Sequence, residues 1–180
     1  MREIFEFHLP KRFVVGTVGI AEERDFFLQA KSDTKLTTIA LASGQADVLA
    51  QGLDRILDEL LKMGIQVPIA DPGDLDLEPL ETPIDVEFEA QSMGLAWNEM
   101  TSLITLEIHG EWDSDEIPDV ESDEMDGPTC LRVRLNLWQA REFVARTKRI
   151  LAFGAKPCQF CQLPVEPQGH VCPRANGYRR

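Results

Sequence analysis

Short apolar-rich segments separated by polar breaks fill the first forty positions, after which the period changes. Residues 3–8, 12–20, 24–31 and 36–42 are rich in Phe, Val, Ile, Thr and Leu, with breaks at Pro10, at 19–23 and at 32–34. This pattern predicts four short strands joined by tight turns, a meander. From Gln45 to Met63 the apolar residues Val48, Leu49, Leu53, Ile56, Leu57, Leu60 and Leu61 recur at intervals of three and four, predicting a helix with one buried stripe. Ala42 or Ser43 stands at its cap. Gly64, which tolerates the left-handed conformation, ends it.

A second half follows. Residues 66–83 carry Pro68, Pro72, Pro79 and Pro83 among acids, which predicts a linker without regular structure. Ile84–Trp97 and Ser102–Trp112 then predict a long hairpin turning near 98–101. Residues 113–128 hold eight acids and predict a surface loop, without the mid-loop Gly and closing Glu of a helix-loop-helix calcium site. CLRVRL at 130–135 alternates as a strand with one wet face. Asn136 and Gln139 form a capping box for a helix whose stripe is Ala140, Phe143, Val144, Thr147, Ile150 and Leu151, with Gly154 at its end.

The predicted organisation is a meander plus helix at 1–65, a linker at 66–83, a hairpin, acidic loop, strand and helix at 84–154, and a C-terminal segment at 155–180. Sliding residues 39–57 by 94 positions gives six identities in nineteen, among them Gln45 with Gln139 and Arg55-Ile56-Leu57 with Arg149-Ile150-Leu151. Either the halves are an internal duplication or two strand-then-helix segments have converged on one pattern. Both readings predict an α+β fold, two antiparallel β-meander plus helix halves with a zinc-knuckle segment after them.

With 180 residues, 43% hydrophobic and 27% charged, the chain has enough apolar material for a core and is neither collagenous, coiled-coil nor wholly disordered. It has no apolar run long enough for a membrane span and no basic-then-apolar start, so a soluble cytoplasmic protein is expected. The net charge of -13 argues against general affinity for nucleic acid or anionic membrane. The charge is uneven, however. Residues 129–180 hold ten Lys/Arg against Glu142 and Glu166, or +8, and residues 1–128 carry -21. Either the basic part folds back on the acidic part or it offers a site for an acidic or phosphorylated partner.

One constellation carries chemistry. Cys158 and Cys161 are separated by two residues, and His170 and Cys172 follow within fifteen residues of Cys158. Three thiolates and an imidazole suit tetrahedral zinc, and four protein ligands leave no position open for water, so the expected cofactor is a structural Zn2+. So short a segment has little to bury, and metal binding would supply its folding energy. A redox Cys158/Cys161 pair is the rival, which leaves His170 and Cys172 without a role. Cys130 reads as a small core residue. His8 and His109, in predicted strands, read as hydrogen-bonded structural histidines. Trp97, Trp112 and Trp138 read as core or sheet-end residues. No catalytic residue is named.

Beyond the cysteines, Asn176-Gly177, Tyr178 and the cations Arg174, Arg179 and Arg180 suit anion or partner binding, and Arg132, Arg134, Arg141 and Arg146 would extend that surface. The stretches EFxxPxRFVVGTVGxxxERxFFLQA, from Glu6 to Ala30, and CQFCxLPxxPxGHxCPRANGYRR at the end resemble a bacterial family of conserved hypothetical proteins that carries a domain-of-unknown-function label. The resemblance implies a bacterial cytoplasmic protein with a zinc-binding C-terminus. Gln162 departs from the Gly that often completes the turn of a zinc knuckle. The expected function is a zinc-stabilised binding or adaptor protein. Its alternatives are an enzyme acting on a phosphorylated or anionic small molecule between the halves, and nucleic-acid binding through the basic third.

Overall fold

The alternating segments form strands, and the way they pair ties the two halves together. The computed structural model describes residues 2–20, 23–114, 116, 118–153, 159–160 and 172. The first half contributes β1 (Ile4–His8), β2 (Arg12–Ile20), β3 (Glu23–Lys31), β4 (Leu36–Leu41) and α1 (Ser43–Lys62). The second contributes β5 (Val86–Glu89), β6 (Ser92–Asn98), β7 (Leu103–His109), β8 (Cys130–Leu135) and α2 (Leu137–Ala152). The fold is α+β, as expected, with two helices and two four-stranded sheets among the described residues. Their strand orders are β1-β8-β7-β6 and β2-β3-β4-β5.

Each half gives its first strand to the sheet of the other. β1 pairs in parallel with β8, from Ile4 opposite Cys130 to His8 opposite Arg134, so the first meander has three strands rather than four. β5 pairs in parallel with β4, so the predicted strand Ile84–Trp97 is two strands in different sheets. Leu9 at φ +48, followed by Pro10, turns the chain out of β1 before β2 begins. The Leu9 amide donates to the Arg134 carbonyl (2.9 Å), and the Ala90 amide donates to the Ala40 carbonyl (2.8 Å), extending each parallel pairing past its exchanged strand. Between those strands Phe5 and Phe88 stack at 6.4 Å.

The shared glutamines hold this exchange. Gln45 Oε1 accepts from the Ala42 amide (2.8 Å) while its Nε2 donates to the Ala90 carbonyl just past β5 (2.8 Å). Gln139 repeats the device: Oε1 accepts from the Asn136 amide (3.0 Å), and Nε2 donates to the Pro10 carbonyl just past β1 (2.9 Å). Each side chain caps its helix and clamps the strand donated by the other half. Gln139→Ala is expected to lower stability by about 1–2 kcal/mol, read as a shift in urea midpoint, and Gln45→Ala by a similar amount.

The inner faces of both sheets meet both helices in one core that includes Phe7, Val15, Leu28, Ile39, Leu53, Leu106, Val133 and Phe143. Asp54 on α1 joins the helices by accepting from Arg141 (2.8 Å) and Lys148 (2.5 Å) on α2. Irregular segments cover the outer faces. On the β2–β5 sheet, Leu80 of the Pro-rich stretch is buried and lies where a Cβ on Gly16 would meet it at 2.5 Å. On the other sheet, Val120 of the acidic loop closes in the same way on Gly94, at 2.7 Å. Trp97 packs partly against the core, but Trp112 and Trp138 are 42% and 51% exposed. Trp112 follows the end of β7, in line with the sheet-end alternative, whereas Trp138 lies on the face of α2 opposite the stripe and is neither a core nor a sheet-end residue. Among the described residues, no helix is long and apolar enough to cross a membrane.

Candidate functional site

Period-two alternation puts Thr105, Glu107 and His109 of β7 on the outer face of their sheet, beside Cys130, Arg132 and Arg134 of β8. The antiparallel register sets Glu107 opposite Arg132 and His109 opposite Cys130. Arg132 Nε donates to Glu107 Oε1 (2.5 Å), and the Glu121 amide donates to the same oxygen (2.9 Å). His109 Nε2 lies 3.1 Å from Glu107 Oε2, and its Nδ1 lies 3.3 Å from Ser92 Oγ. Arg2, just before β1, donates to the Ser122 and Pro128 carbonyls and brings Nη2 to 3.7 Å from Glu107 Oε2.

The acidic loop closes over this cluster instead of standing free in solvent. Arg132 reaches Asp123 (3.0 Å) and the Ser122 carbonyl (2.6 Å), and Arg134 reaches Glu121 (2.9 Å) and Glu6 (2.5 Å). Glu107 is 0% exposed, His109 1% and Arg132 3%. Burial pushes the Glu107 carboxyl up. Hydrogen bonds from His109, the Glu121 amide and Arg132, with the Arg132 charge, outweigh that and take it down to about 2. Burial, reinforced by the Glu107 charge, pushes the Cys130 thiol up to about 11.

Glu107, His109 and Cys130 each offer a donor atom, all within 4.8 Å of one another, a set that could bind a metal ion. Arg2 and Arg132 already bring positive charge to Glu107, and both of its oxygens have donors. The cluster is therefore neutralised by guanidinium. Cys130 is buried, as expected, but among charges rather than in the apolar core. His109 is hydrogen-bonded, as expected, whereas His8 is exposed on β1.

A groove opens elsewhere, between the start of β2, the outward side of α2 and the Pro-rich stretch, with a volume of about 260 Å³. Its walls include Lys11, Phe13, Asp74, Trp138, Glu142 and Phe143, and Arg12, Asp76 and Arg146 lie at one end. Phe13 and Phe143 stack at 4.7 Å. Asp76 receives Arg12 through two hydrogen bonds (2.6 and 3.1 Å) and Arg146 through one (3.3 Å). Burial moves the Arg146 pKa down.

Of the sequence-predicted site residues, Cys158, Cys161, His170, Arg174, Arg179 and Arg180 lie outside the described residues, and Cys172 is buried. Arg132, Arg134, Arg141 and Arg146 do not extend an external anion surface, because each is committed to carboxylates of the same chain. Sequence reasoning missed Arg2 and Glu107. The signal for Glu107 was present, since LITLEIH and CLRVRL alternate in step and set acid against base on one face. Arg2 lies outside any strand and had no such signal. A family profile described as "Protein of unknown function (DUF3090)" matches residues 5–172. Comparison with curated proteins and with solved structures finds no match.

Proposed function

The chain belongs to the DUF3090 family, and on that premise we propose that it is a bacterial cytoplasmic binding or adaptor protein. Its zinc-stabilised C-terminal segment offers Arg174, Arg179 and Arg180 to an acidic or phosphorylated partner. The observation that supports this reading is how the basic third is committed. Of the ten cations in residues 129–180, Arg132, Arg134, Arg141, Arg146 and Lys148 are ion-paired within the body. Four of the other five lie beyond Gly154, three of them after the last cysteine. Cys158, Cys161, His170 and Cys172 would hold the zinc, whose chemistry there is structural, and the soft donor set suits it.

Native mass spectrometry of protein purified without added metal is expected to find one zinc per chain. Pull-down from the source cells is expected to lose its partner when Arg179 and Arg180 are both changed to alanine. Metal-free protein, or the same partner captured by the double variant, would overturn the reading. A salt-dependent gel shift by the wild type would favour nucleic acid as the partner instead. The enzyme reading has the convergence of His109, Glu107 and two arginines in its favour. Against it, a general base must reach its substrate, and these groups are sealed beneath the acidic loop.

A further inference from the structure

We propose that the groove between α2, the start of β2 and the Pro-rich stretch binds a small organic cation, an ammonium or guanidinium group carried on an aliphatic chain. This inference does not depend on the C-terminal segment. It starts from which charges in the groove are already answered. Arg12 gives its donors to Asp76 and to the Glu78 and Pro79 carbonyls (2.7 and 2.9 Å). Arg146 gives its donors to Asp76 and to the Val15 and Glu78 carbonyls (3.0 and 2.9 Å). The Lys11 ammonium pairs with Asp33, which is not part of the groove. The cations of the lining are thus turned to the protein's own acceptors, and an anionic ligand would have to displace them.

Two carboxylates remain. Glu142 and Asp74 line the groove, and neither makes an ion pair with another described residue. Burial raises the Glu142 pKa, and the charges of Asp76 and Asp74 raise it further. Trp138 lies one helical turn before Glu142, which places indole and carboxylate side by side on the same face of α2. An inorganic ion has no methylenes to lay against the apolar walls. An alkylammonium gains twice, with its charge over the aromatic face and its methylenes against apolar walls. The volume sits at the small end for ligand pockets, which suits a chain of a few carbons.

The test uses the full chain labelled with nitrogen-15, following the Trp138 indole resonance, assigned by its loss in Trp138→Phe. Cadaverine is expected to move that resonance saturably, and 1-pentanol, an uncharged alcohol of the same chain length, is expected to leave it in place. Glu142→Gln and Asp74→Asn, each with its other resonances at wild-type positions, are expected to weaken cadaverine binding roughly tenfold. A blocked lysine peptide identifies the source: tighter binding than cadaverine indicates a partner's side chain, and weaker binding indicates a free amine. A Trp138 resonance that ignores both amines would overturn the proposal. So would wild-type affinity in both carboxylate variants, or an equal response to 1-pentanol. Should Glu142→Gln fail to fold, the exposed Asp74→Asn decides the outcome.

Discussion

Glu107→Ala is expected to cost about 3–5 kcal/mol of folding stability, because it leaves Arg132 and Arg2 buried without the carboxylate that compensates them. Chemical denaturation at neutral pH reads the loss directly. The wild type should show the same interaction through its pH dependence. The folded carboxyl titrates at about 2 and the free one at 4.5, so the folded state gains stability from ionisation. That gain is nearly complete above about pH 5, fades as pH falls, and is lost as pH drops below about 2, where both states come to hold the proton. The difference corresponds to about 3 kcal/mol. Glu107→Gln keeps the shape and is expected to flatten stability between pH 5 and pH 2. Replacing Arg2, Glu107 and Arg132 together by Met, Leu and Met should recover much of the loss, since hydrophobic residues of similar volume often substitute well for buried ion pairs. An Ala variant as stable as wild type would show that the cluster contributes no net stability.

Separating the halves is expected to abolish folding altogether. A fragment of residues 1–70 keeps α1 and β2–β4 but loses β5 and the whole of α2, and its β1 loses the β8 edge it pairs with. Phe7, 2% exposed in the intact chain, would then have no sheet to lie on. A fragment of residues 71–180 faces the mirror problem, with β5 unpaired and β8 bare at its outer edge. A strand and a helix face lost from one core exceed the roughly 5–15 kcal/mol that holds a domain of this size together. Circular dichroism of either fragment alone should show a largely unfolded chain, and co-expression should return a folded complex of both. An independently folded, cooperatively melting 1–70 fragment would refute the interdependence.

Local structure was well marked in the sequence, and long-range pairing was not. The stripe from Leu49 to Leu60 and the Asn136–Gln139 box defined both helices, because those signals lie within one or two turns. The alternation of Ile4–His8 is equally suited to either sheet, and nothing in residues 3–8 distinguishes β2 from β8 as a neighbour. Ala90-Gln91, where the chain leaves one sheet for the other, carries no Gly or Pro to mark the break. The proposed zinc ligands rest on cysteine and histidine spacing alone, a signal that needs no tertiary context. The buried cluster needed the register between β7 and β8 together with a residue ahead of β1. The match of Gln45 with Gln139 stood out as an identity, but its meaning emerged only once each amide was seen to reach the far half.

Among the described residues β5 ends its sheet, and an end strand offers unpaired backbone to any passing chain. This one exposes Glu87 and Glu89, directly after exposed Asp85. A second molecule docking there strand to strand would bring its own row of acids alongside at about 4.8 Å, and like charges at that range repel. Part of the chain's acidity is thereby positioned as a guard against runaway self-association, and Glu87→Val with Glu89→Val would remove that guard.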